Sequence, residues 1–402
     1  MDRRKFVKVS LGSLAAVVAE SVAAPLMFRG SEVFAGPGSP PRGRTGIKID
    51  ITEVLVEMID LTQVYMWAFA DGKAGPRIPG TYYFVREGDP LDINITNRLD
   101  EPHAFAILSR PDGTFVAHTG TIAPRSSSRL QFNAPAAGTY LYLDPLNSPV
   151  NRVLGLHGAL VVLPAAGNTP YTNPPASVQA LFDHLGNSPH FPGSPWDPAR
   201  TWIWVFNTID PAFNALAQEN QVIDPLDFRA RFLPRYFTLS GKSGFFAAHD
   251  PQISPHGQVG QPALVRILNA GMATHSSHIH GNHVYLLSEN NQVRSNLLWV
   301  DTWALPPACR VDWLLPFMRP PDQADGAWPP VQELALVLGD GSRLNPLSYP
   351  NHCHTEISQT AAGGNYPSGA IAHFEITGDL NGPFPTAGGS HATARRKEAQ
   401  RG

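Results

Sequence analysis

Cysteine is nearly absent from this chain of 402 residues. The two cysteines, Cys309 and Cys353, lie in different sequence contexts, so a framework of disulfide bonds is excluded. Charged residues make up only 16% of the chain, and no basic patch with interleaved aromatic residues occurs, so nucleic acid is not an expected partner. Long amphipathic helical patterns are missing as well. With 43% hydrophobic residues, the chain can instead bury a sizeable core in about two or three globular domains.

Short apolar runs separated by turn residues fill most of the chain. Residues 47–58 and 64–70 read as strands, and residues 91–96 alternate apolar and polar side chains with a period of two. The 39 prolines and 35 glycines punctuate these runs without a collagen-like period. This pattern predicts an all-β protein built from sandwich domains.

A weak internal repeat predicts two copies of one domain. The repeated positions, 172 residues apart, are Gly88 and Gly260, Pro90 and Pro262, Ile93 and Val265, Ile95 and Ile267, and Asn97 and Asn269. The same offset carries His103 onto His275. A stretch rich in proline, glycine and asparagine separates the copies. We therefore expect domain one at 46–165, a linker at 166–199, domain two at 200–379 and a disordered tail at 380–402.

Residues 1–35 predict an export signal that is removed from the mature protein. Arg3 and Arg4 resemble the paired arginines of the twin-arginine class, and small residues near Ala35 provide a cleavage site. A Sec signal or a membrane anchor is the alternative, but Glu20 interrupts the apolar run. We expect a bacterial protein that is exported to the periplasm or the cell exterior and retains no stable membrane span.

Histidine is concentrated in two short segments, 275–283 and 352–354. Together they hold six of the fifteen histidines, so chance clustering is the weaker explanation. An isolated pair of histidines is usually surface decoration, and a lone buried cysteine is usually a small hydrophobic residue. A thiolate together with imidazoles favours copper and is also acceptable to zinc. The two segments therefore predict a metal site.

Strand geometry predicts how these ligands are distributed. Successive side chains of a strand point to opposite faces, so Cys353 is expected on one face and both His352 and His354 on the other. His278 and His280, two residues apart, share a face for the same reason. One short segment can therefore contact two different metal sites.

Several segments occur in the order and spacing of one protein family. They are the strand at 136–142, the segment 268–271 before the histidines, Asp301-Thr302, and the His-Cys-His strand at 352–354. The chain resembles the multicopper oxidase family in its two-domain, laccase-like form, over nearly all of residues 46–379. The resemblance implies two cupredoxin-like Greek-key β-sandwich domains, copper as cofactor, and one-electron oxidation of a small reducing substrate coupled to reduction of dioxygen.

The resemblance also implies which residues hold copper. His275 and Cys353 match ligands of a mononuclear copper and are the predicted catalytic residues, because electrons enter there. The implied ligands of the copper cluster are His278, His280, His352 and His354, with His103 as a candidate from domain one.

The ligand set departs from that of the family. Ser358 stands where the second mononuclear histidine belongs, and Gly363 lies near the place of the axial methionine. Either Ser358 or Gln359 is a candidate replacement. In domain one, Leu143-Asp144-Pro145 stands where a His-Ser-His pair belongs, so at most five of the eight cluster ligands are present.

Two functions are compatible with an incomplete ligand set. The first is an exported copper oxidoreductase with a non-standard site, in which Asp144, Glu356 or Gln359 supplies oxygen ligands. The second is a non-catalytic cupredoxin scaffold or copper-binding protein that has lost oxidase activity. The resemblance further implies a homotrimer in which domain one of a neighbour completes the site. In that case His103 and Asp144 face the domain-two histidines, within the chain or across an interface.

Overall fold

Alternating apolar residues build the strands in the computed structural model, which describes residues 45–72, 74–318 and 346–384. In the strand Pro90–Asn97, for example, Leu91, Ile93 and Ile95 are buried while Asn94 is exposed. Strands of this kind form four sheets that pack as two sandwiches, so the predicted all-β class is confirmed.

Domain one consists of a four-stranded and a five-stranded sheet. The four-stranded sheet has the order β2 (Gln63–Asp71), β1 (Thr45–Glu57), β4 (Pro90–Asn97), β7 (Ser127–Asn133). The five-stranded sheet has the order β3 (Tyr83–Arg86), β9 (His157–Leu163), β8 (Gly138–Leu143), β5 (Ala106–Leu108), β6 (Phe115–His118). One pair in each sheet is parallel, β1 with β4 and β3 with β9, and the other neighbours are antiparallel.

Domain two repeats this plan with a six-stranded sheet and a second sheet in which a short sixth strand joins a row of five. The six-stranded sheet has the order β11 (Tyr236–Leu239), β10 (Thr201–Ile209), β13 (Ala263–Asn269), β18 (Arg310–Leu315), β15 (Val284–Glu289), β16 (Gln292–Val300). In the second sheet, the row of five strands has the order β12 (His256–Gln258), β20 (Ile371–Asp379), β19 (Leu347–Cys353), β14 (His275–Ile279), β17 (Thr302–Leu305). A short strand, β21 (Gly382–Pro383), pairs with β20.

The helices of the described residues are short and lie between strands. They are α1 (Val150–Val153), α2 (Ala176–His184), α3 (Pro211–Gln218), α4 (Pro225–Arg231) and α5 (Gly244–Ala248), with a 3-10 turn at Glu356–Gln359. The side chains of Asp210 and Asp224 cap α3 and α4 by accepting hydrogen bonds from backbone N–H groups. Each is followed by proline at the first helical position. No helix in the described ranges combines the length and apolarity needed to cross a membrane.

The six-stranded sheet is covered on both faces. Along β10, Trp202, Trp204 and Phe206 point into the core of domain two. The intervening Ile203 and Val205 pack instead against apolar residues of domain one. Because both faces are buried, residues 202–206 are apolar without interruption rather than alternating with polar residues.

Helices α3 and α4 extend from domain two onto domain one. Phe213, Ala217 and Phe228 enter the core of domain one. The side-chain amide of Asn214 donates a hydrogen bond of 2.8 Å to the carbonyl of Tyr65 on β2. The two sandwiches are therefore joined by a second apolar contact.

The predicted linker, 166–199, is more structured than a connector across the surface. It contains α2, in which Val178, Leu181 and Phe182 are buried at the i, i+3, i+4 spacing of a helix. Together with Trp196, they cover part of the six-stranded sheet that domain one leaves open. Proline and glycine dominate the composition of this stretch and obscure the helical pattern.

The predicted disordered tail, 380–402, begins too early. Residues 382–383 form β21, and Phe384 is 6% exposed in the core of domain two. An aromatic residue needs burial, and β20 provides an edge for the strand that positions it. The rest of the predicted tail and the predicted export signal at 1–35 lie outside the described residues.

One buried carboxylate joins the two domains and the linker. Asp312 on β18 accepts hydrogen bonds from Thr139 Oγ1 of domain one at 2.6 Å and Tyr171 OH of the linker at 2.8 Å. Within domain two it also accepts from Arg266 Nη1 at 3.0 Å and Ser288 Oγ at 3.2 Å. Both members of the Arg266–Asp312 ion pair are almost fully buried.

Replacing Asp312 with alanine is expected to lower the free energy of unfolding by about 3–5 kcal/mol, because Arg266 is left as an uncompensated buried charge. The matched control is Asp100→Ala, which removes an exposed ion pair with Arg125 and is expected to change stability by less than about 1 kcal/mol. Urea unfolding followed by tryptophan fluorescence measures both. Equal effects of the two substitutions contradict the importance of Asp312.

Candidate metal centre

Strands β14 and β19 lie side by side and bring the two histidine segments together. They pair antiparallel, with His278 opposite His352 and Ser277 opposite Cys353. On its other edge β14 pairs with β17, which places His278 opposite Thr302. Strand alternation then divides the side chains between the core face and the outer face of the sheet.

The core face holds a thiol and an imidazole in direct contact. His275 and Cys353 are both fully buried, and His275 Nδ1 lies 3.2 Å from Cys353 Sγ. The backbone N–H of Ser276 donates to the same sulfur at 3.3 Å. The ring of His275 stacks on Phe206 with centroids 4.5 Å apart. Burial lowers the pKa of His275 to about 3, so the imidazole is neutral and carries a lone pair at physiological pH.

The outer face holds the other four histidines. The ligand atoms of His278, His280 and His352 lie within 4.8 Å of one another. The ring of His354 lies 4.8 Å from that of His278 and 5.5 Å from that of His352. His280 and His354 are exposed, whereas His278 and His352 are half-buried. We call these four residues the histidine cluster.

Hydrogen bonds orient the rings of this cluster. His278 Nδ1 lies 3.0 Å from the carbonyl of Asp301 and 2.7 Å from Thr302 Oγ1. A carbonyl can only accept, so Nδ1–H donates and Nε2 keeps its lone pair. His352 Nε2 lies 2.9 Å from His280 Nε2. Burial, with help from neighbouring imidazoles, lowers the pKa of His278 and of His352, which favours the neutral form that binds metal.

The donor set fits copper at both faces. On the core face, bonds of about 2.0–2.3 Å from one metal ion to nitrogen and sulfur are compatible with the observed separation of His275 and Cys353. On the outer face, three imidazoles already converge, and an outer hydrogen bond of the kind that orients metal-bound histidines holds His278. Soft thiolate and imidazole are the ligands that copper prefers.

The proposed replacements for the missing mononuclear histidine have other partners. Ser358 is fully buried, and its hydroxyl donates a hydrogen bond of 2.7 Å to the carbonyl of Thr355. The side-chain amide of Gln359 lies 3.5 Å from Glu356 Oε2. For Ser358 to bind a metal, its hydroxyl has to leave this carbonyl. The core face therefore presents two ready ligands, His275 and Cys353.

Domain one contains a counterpart of the thiol–imidazole pair. His103 Nδ1 lies 2.7 Å from Asp144 Oδ2, as His275 lies against Cys353. The backbone N–H of Ala104, the residue after this histidine, donates to Asp144 Oδ1 at 3.2 Å. The N–H of Ser276 makes the same contact with the domain-two sulfur. Asp144 thus occupies the position that cysteine occupies in domain two.

His103 does not join the histidine cluster within the chain. It is 1% exposed, packs edge-on against Trp67, and shares Asp144 with the side-chain amide of Asn151. Burial acts to lower the pKa of His103, but hydrogen bonds to Asp144 and Glu101 outweigh it and raise the pKa. The expectation that His103 and Asp144 face the domain-two histidines finds no support among these contacts, because each is already the other's partner.

Sequence reasoning missed two contributors to these sites. Asn151 donates to Asp144 at 2.8 Å from α1, and nothing in its local pattern marks it. Phe206 lies on the packed core face of β10 and stacks on His275, a contact that its position in the sequence does not signal. The Asp301-Thr302 motif was recognised, although its role in orienting His278 was not.

A family model described as multicopper oxidase matches residues 51–167. This segment corresponds to domain one. No curated protein matches the chain significantly.

Several solved structures share the fold. A blue copper oxidase from Nitrosomonas europaea is 18% identical, with a TM-score of 0.58 over 82% of this chain and 85% of that one. The multicopper oxidase mgLAC is also 18% identical, with a TM-score of 0.57 over 86% and 88%. A copper nitrite reductase from Nitrosomonas europaea is 14% identical, with a TM-score of 0.50 over 83% and 94%.

These likenesses confirm the predicted cupredoxin fold and the resemblance to the multicopper oxidase family. The family and the structural neighbours are copper proteins. At these identities the neighbours show the fold alone, and their activities are not transferred.

Alanine in place of His280 or His352 is expected to weaken copper binding at the histidine cluster by at least about tenfold, because each removes one converging ligand. The control is His118→Ala, which removes an exposed histidine of domain one. Competition between the metal-stripped protein and a chromophoric chelator measures the affinity. If all three variants bind copper equally, the cluster is not a metal site.

Proposed function

We propose that this protein is a copper-dependent oxidoreductase that oxidises a small reducing substrate one electron at a time and reduces dioxygen. The observation that carries the proposal is the position of Cys353. It contacts His275 on the core face, while its chain neighbours His352 and His354 belong to the histidine cluster on the outer face. The two candidate sites are thus joined by a few covalent bonds of one strand.

The surroundings of His275 and Cys353 would suit a bound copper that gains and loses an electron while its ligands stay in place. Phe206 stacks on His275, and full burial excludes water from His275 and Cys353. Copper bound at these positions supplies the one-electron redox chemistry. On the outer face, Thr302 and the carbonyl of Asp301 hold the ring of His278, while the exposed His280 is open to a small molecule such as dioxygen.

A second candidate is a non-catalytic cupredoxin scaffold or a copper-binding protein without oxidase activity. One observation favours it, which is that the hydroxyl of Ser358 is committed to the carbonyl of Thr355. With no third ready ligand in the described part of the chain, the mononuclear site is non-standard in either case. Copper content and oxygen consumption separate the two candidates.

Location and assembly are part of the proposal. The paired arginines support export by the twin-arginine route to the periplasm or the cell exterior. Because His280 and His354 are exposed, the histidine cluster needs a wall to control access of water and substrate. We assign this wall to domain one of a neighbouring subunit in a homotrimer.

Changing Cys353 to serine is expected to reduce oxygen consumption with hydroquinone by at least about 100-fold. Serine has the shape of cysteine, is only slightly smaller and can still hydrogen-bond to His275, so the melting temperature is expected to change by less than about 3 °C. The matched control is Cys309→Ser, which alters the other buried cysteine and leaves the rate unchanged.

Copper per chain, absorbance and electron spin resonance are measured on the same samples. Equal rates for the Cys353 and Cys309 variants contradict the oxidoreductase proposal. A native protein that takes up no copper supports the scaffold.

The homotrimer is tested separately by sedimentation velocity of the mature chain with and without copper. We expect a species of three chains in the copper-loaded sample, and partial dissociation after chelation, because bound metal contributes to the interface. A monomer in both samples rules out the wall from a neighbouring subunit.

A further inference from the structure

A cavity of about 470 Å³ lies between the two domains, and neither Cys353 nor any histidine lines it. Domain one contributes Leu108, Phe115 and Arg152 to its wall, and domain two contributes Arg229 and Met272. Its volume falls within the range of about 300–1,000 Å³ that is usual for small-molecule sites. Neither the copper ligands nor the proposed oxidase activity account for it.

Positive charge in the wall has no anionic partner among the residues that the structure describes. Arg152 is 7% exposed and uses only Nη1, which donates to the carbonyls of Ala270 and Gly271. Its Nε and Nη2 make no hydrogen bond with the described part of the chain. Within the described ranges, Arg229 makes one hydrogen bond, from Nη2 to the carbonyl of Ser148 at 3.3 Å. Burial, and secondarily the charge of Arg229, lower the pKa of Arg152 to about 10.

The one carboxylate among the lining residues, that of Asp144, forms no ion pair with either arginine in the described part of the chain. Asp144 Oδ2 accepts from His103 and Asn151, and Oδ1 accepts from the backbone N–H groups of Ala104 and Leu146. Four donors therefore occupy both oxygens. Two guanidinium groups face the cavity, and its own acidic residue is already satisfied.

Most of the remaining wall is apolar. Leu108, Phe115, Met272 and Pro307 supply aliphatic, aromatic and thioether surface. An inorganic anion alone gains nothing from such surface, whereas a ring gains contact with Phe115 and Met272. Guanidinium groups match the two oxygens of a carboxylate with paired hydrogen bonds.

We propose that this interdomain cavity binds a small organic acid, with its carboxylate on Arg152 and Arg229 and a single ring against Phe115 and Met272. The bound acid contacts both domains at once. The site is independent of copper and of the proposed oxidase activity.

Benzoate is the probe, and isothermal titration calorimetry of the full mature protein is the measurement. We expect saturable binding of benzoate, with benzamide and acetate each at least about tenfold weaker, because one lacks the charge and the other lacks the ring. If benzamide binds as well as benzoate, or if no saturable binding occurs, the proposal is overturned.

Arg229→Gln tests the residues. It is expected to weaken benzoate binding by at least about tenfold. The matched control is Arg231→Gln on the same helix, whose side chain is exposed and paired with Asp227 and does not line the cavity. Arg152 also holds the backbone at 270–271, so its substitution is not the primary test. Equal affinities of the two variants overturn the proposal.

Copper is separated from this site by repeating the titration with Cys353→Ser and with chelated protein. Unchanged benzoate affinity in both supports the cavity. Loss of binding after chelation, with Arg229→Gln unaffected, assigns benzoate to the metal and overturns the proposal. Failure of oxidase activity in the same samples has no bearing on this result.

Discussion

A buried negative charge at the meeting point of both domains and the linker constrains how the whole chain packs. A carboxylate in a protein interior is strongly destabilising unless donors and a cation compensate it. Asp312 receives donors from Thr139, Tyr171 and Arg266, which belong to domain one, the linker and domain two. These donors reach it only when domain one and the linker both cover the six-stranded sheet. The hydrogen bonds to Asp312 and the burial of apolar side chains on this sheet therefore form in the same packed state. Together they specify how the domains are arranged.

The contact of domain one with β10 also supports the candidate metal centre, whose ligands lie on the other sheet of domain two. Strand β10 presents Ile203 and Val205 to domain one and Phe206 to the core of domain two. Because Phe206 stacks on His275, the position of the imidazole depends on a strand that domain one holds in place. Domain one itself stabilises the equivalent position with a carboxylate–imidazole hydrogen bond between Asp144 and His103, which needs no metal. The two copies of one fold thus use different chemistry at the same place.

Local rules predicted those parts of the structure that depend on neighbours in sequence. Strand alternation alone separated Cys353 from His352 and His354, and the repeat placed His103 and His275 at equivalent positions. The contact of Asn151 with Asp144 and the stacking of Phe206 on His275 join residues whose proximity only the folded chain creates. The helix α2 was missed because proline and glycine around it dominated the composition, although Val178, Leu181 and Phe182 carry its spacing. The pairing of β21 and the burial of Phe384 were not predicted, because the sequence that follows them is polar.

The antiparallel pairing of β14 with β19 has a consequence for what the chain can tolerate in evolution. A slip of one residue along β19 exchanges the faces of every side chain on it. His352 and His354 then enter the core, and Cys353 faces solvent, where a thiol is open to oxidation. The pairing of Ser277 with Cys353 therefore determines which ligand atoms lie in the core and which lie on the solvent-facing side of the sheet. A single-residue insertion within this strand thus changes which side chains can bind a metal, whereas the same insertion in a surface loop alters only the length of the loop.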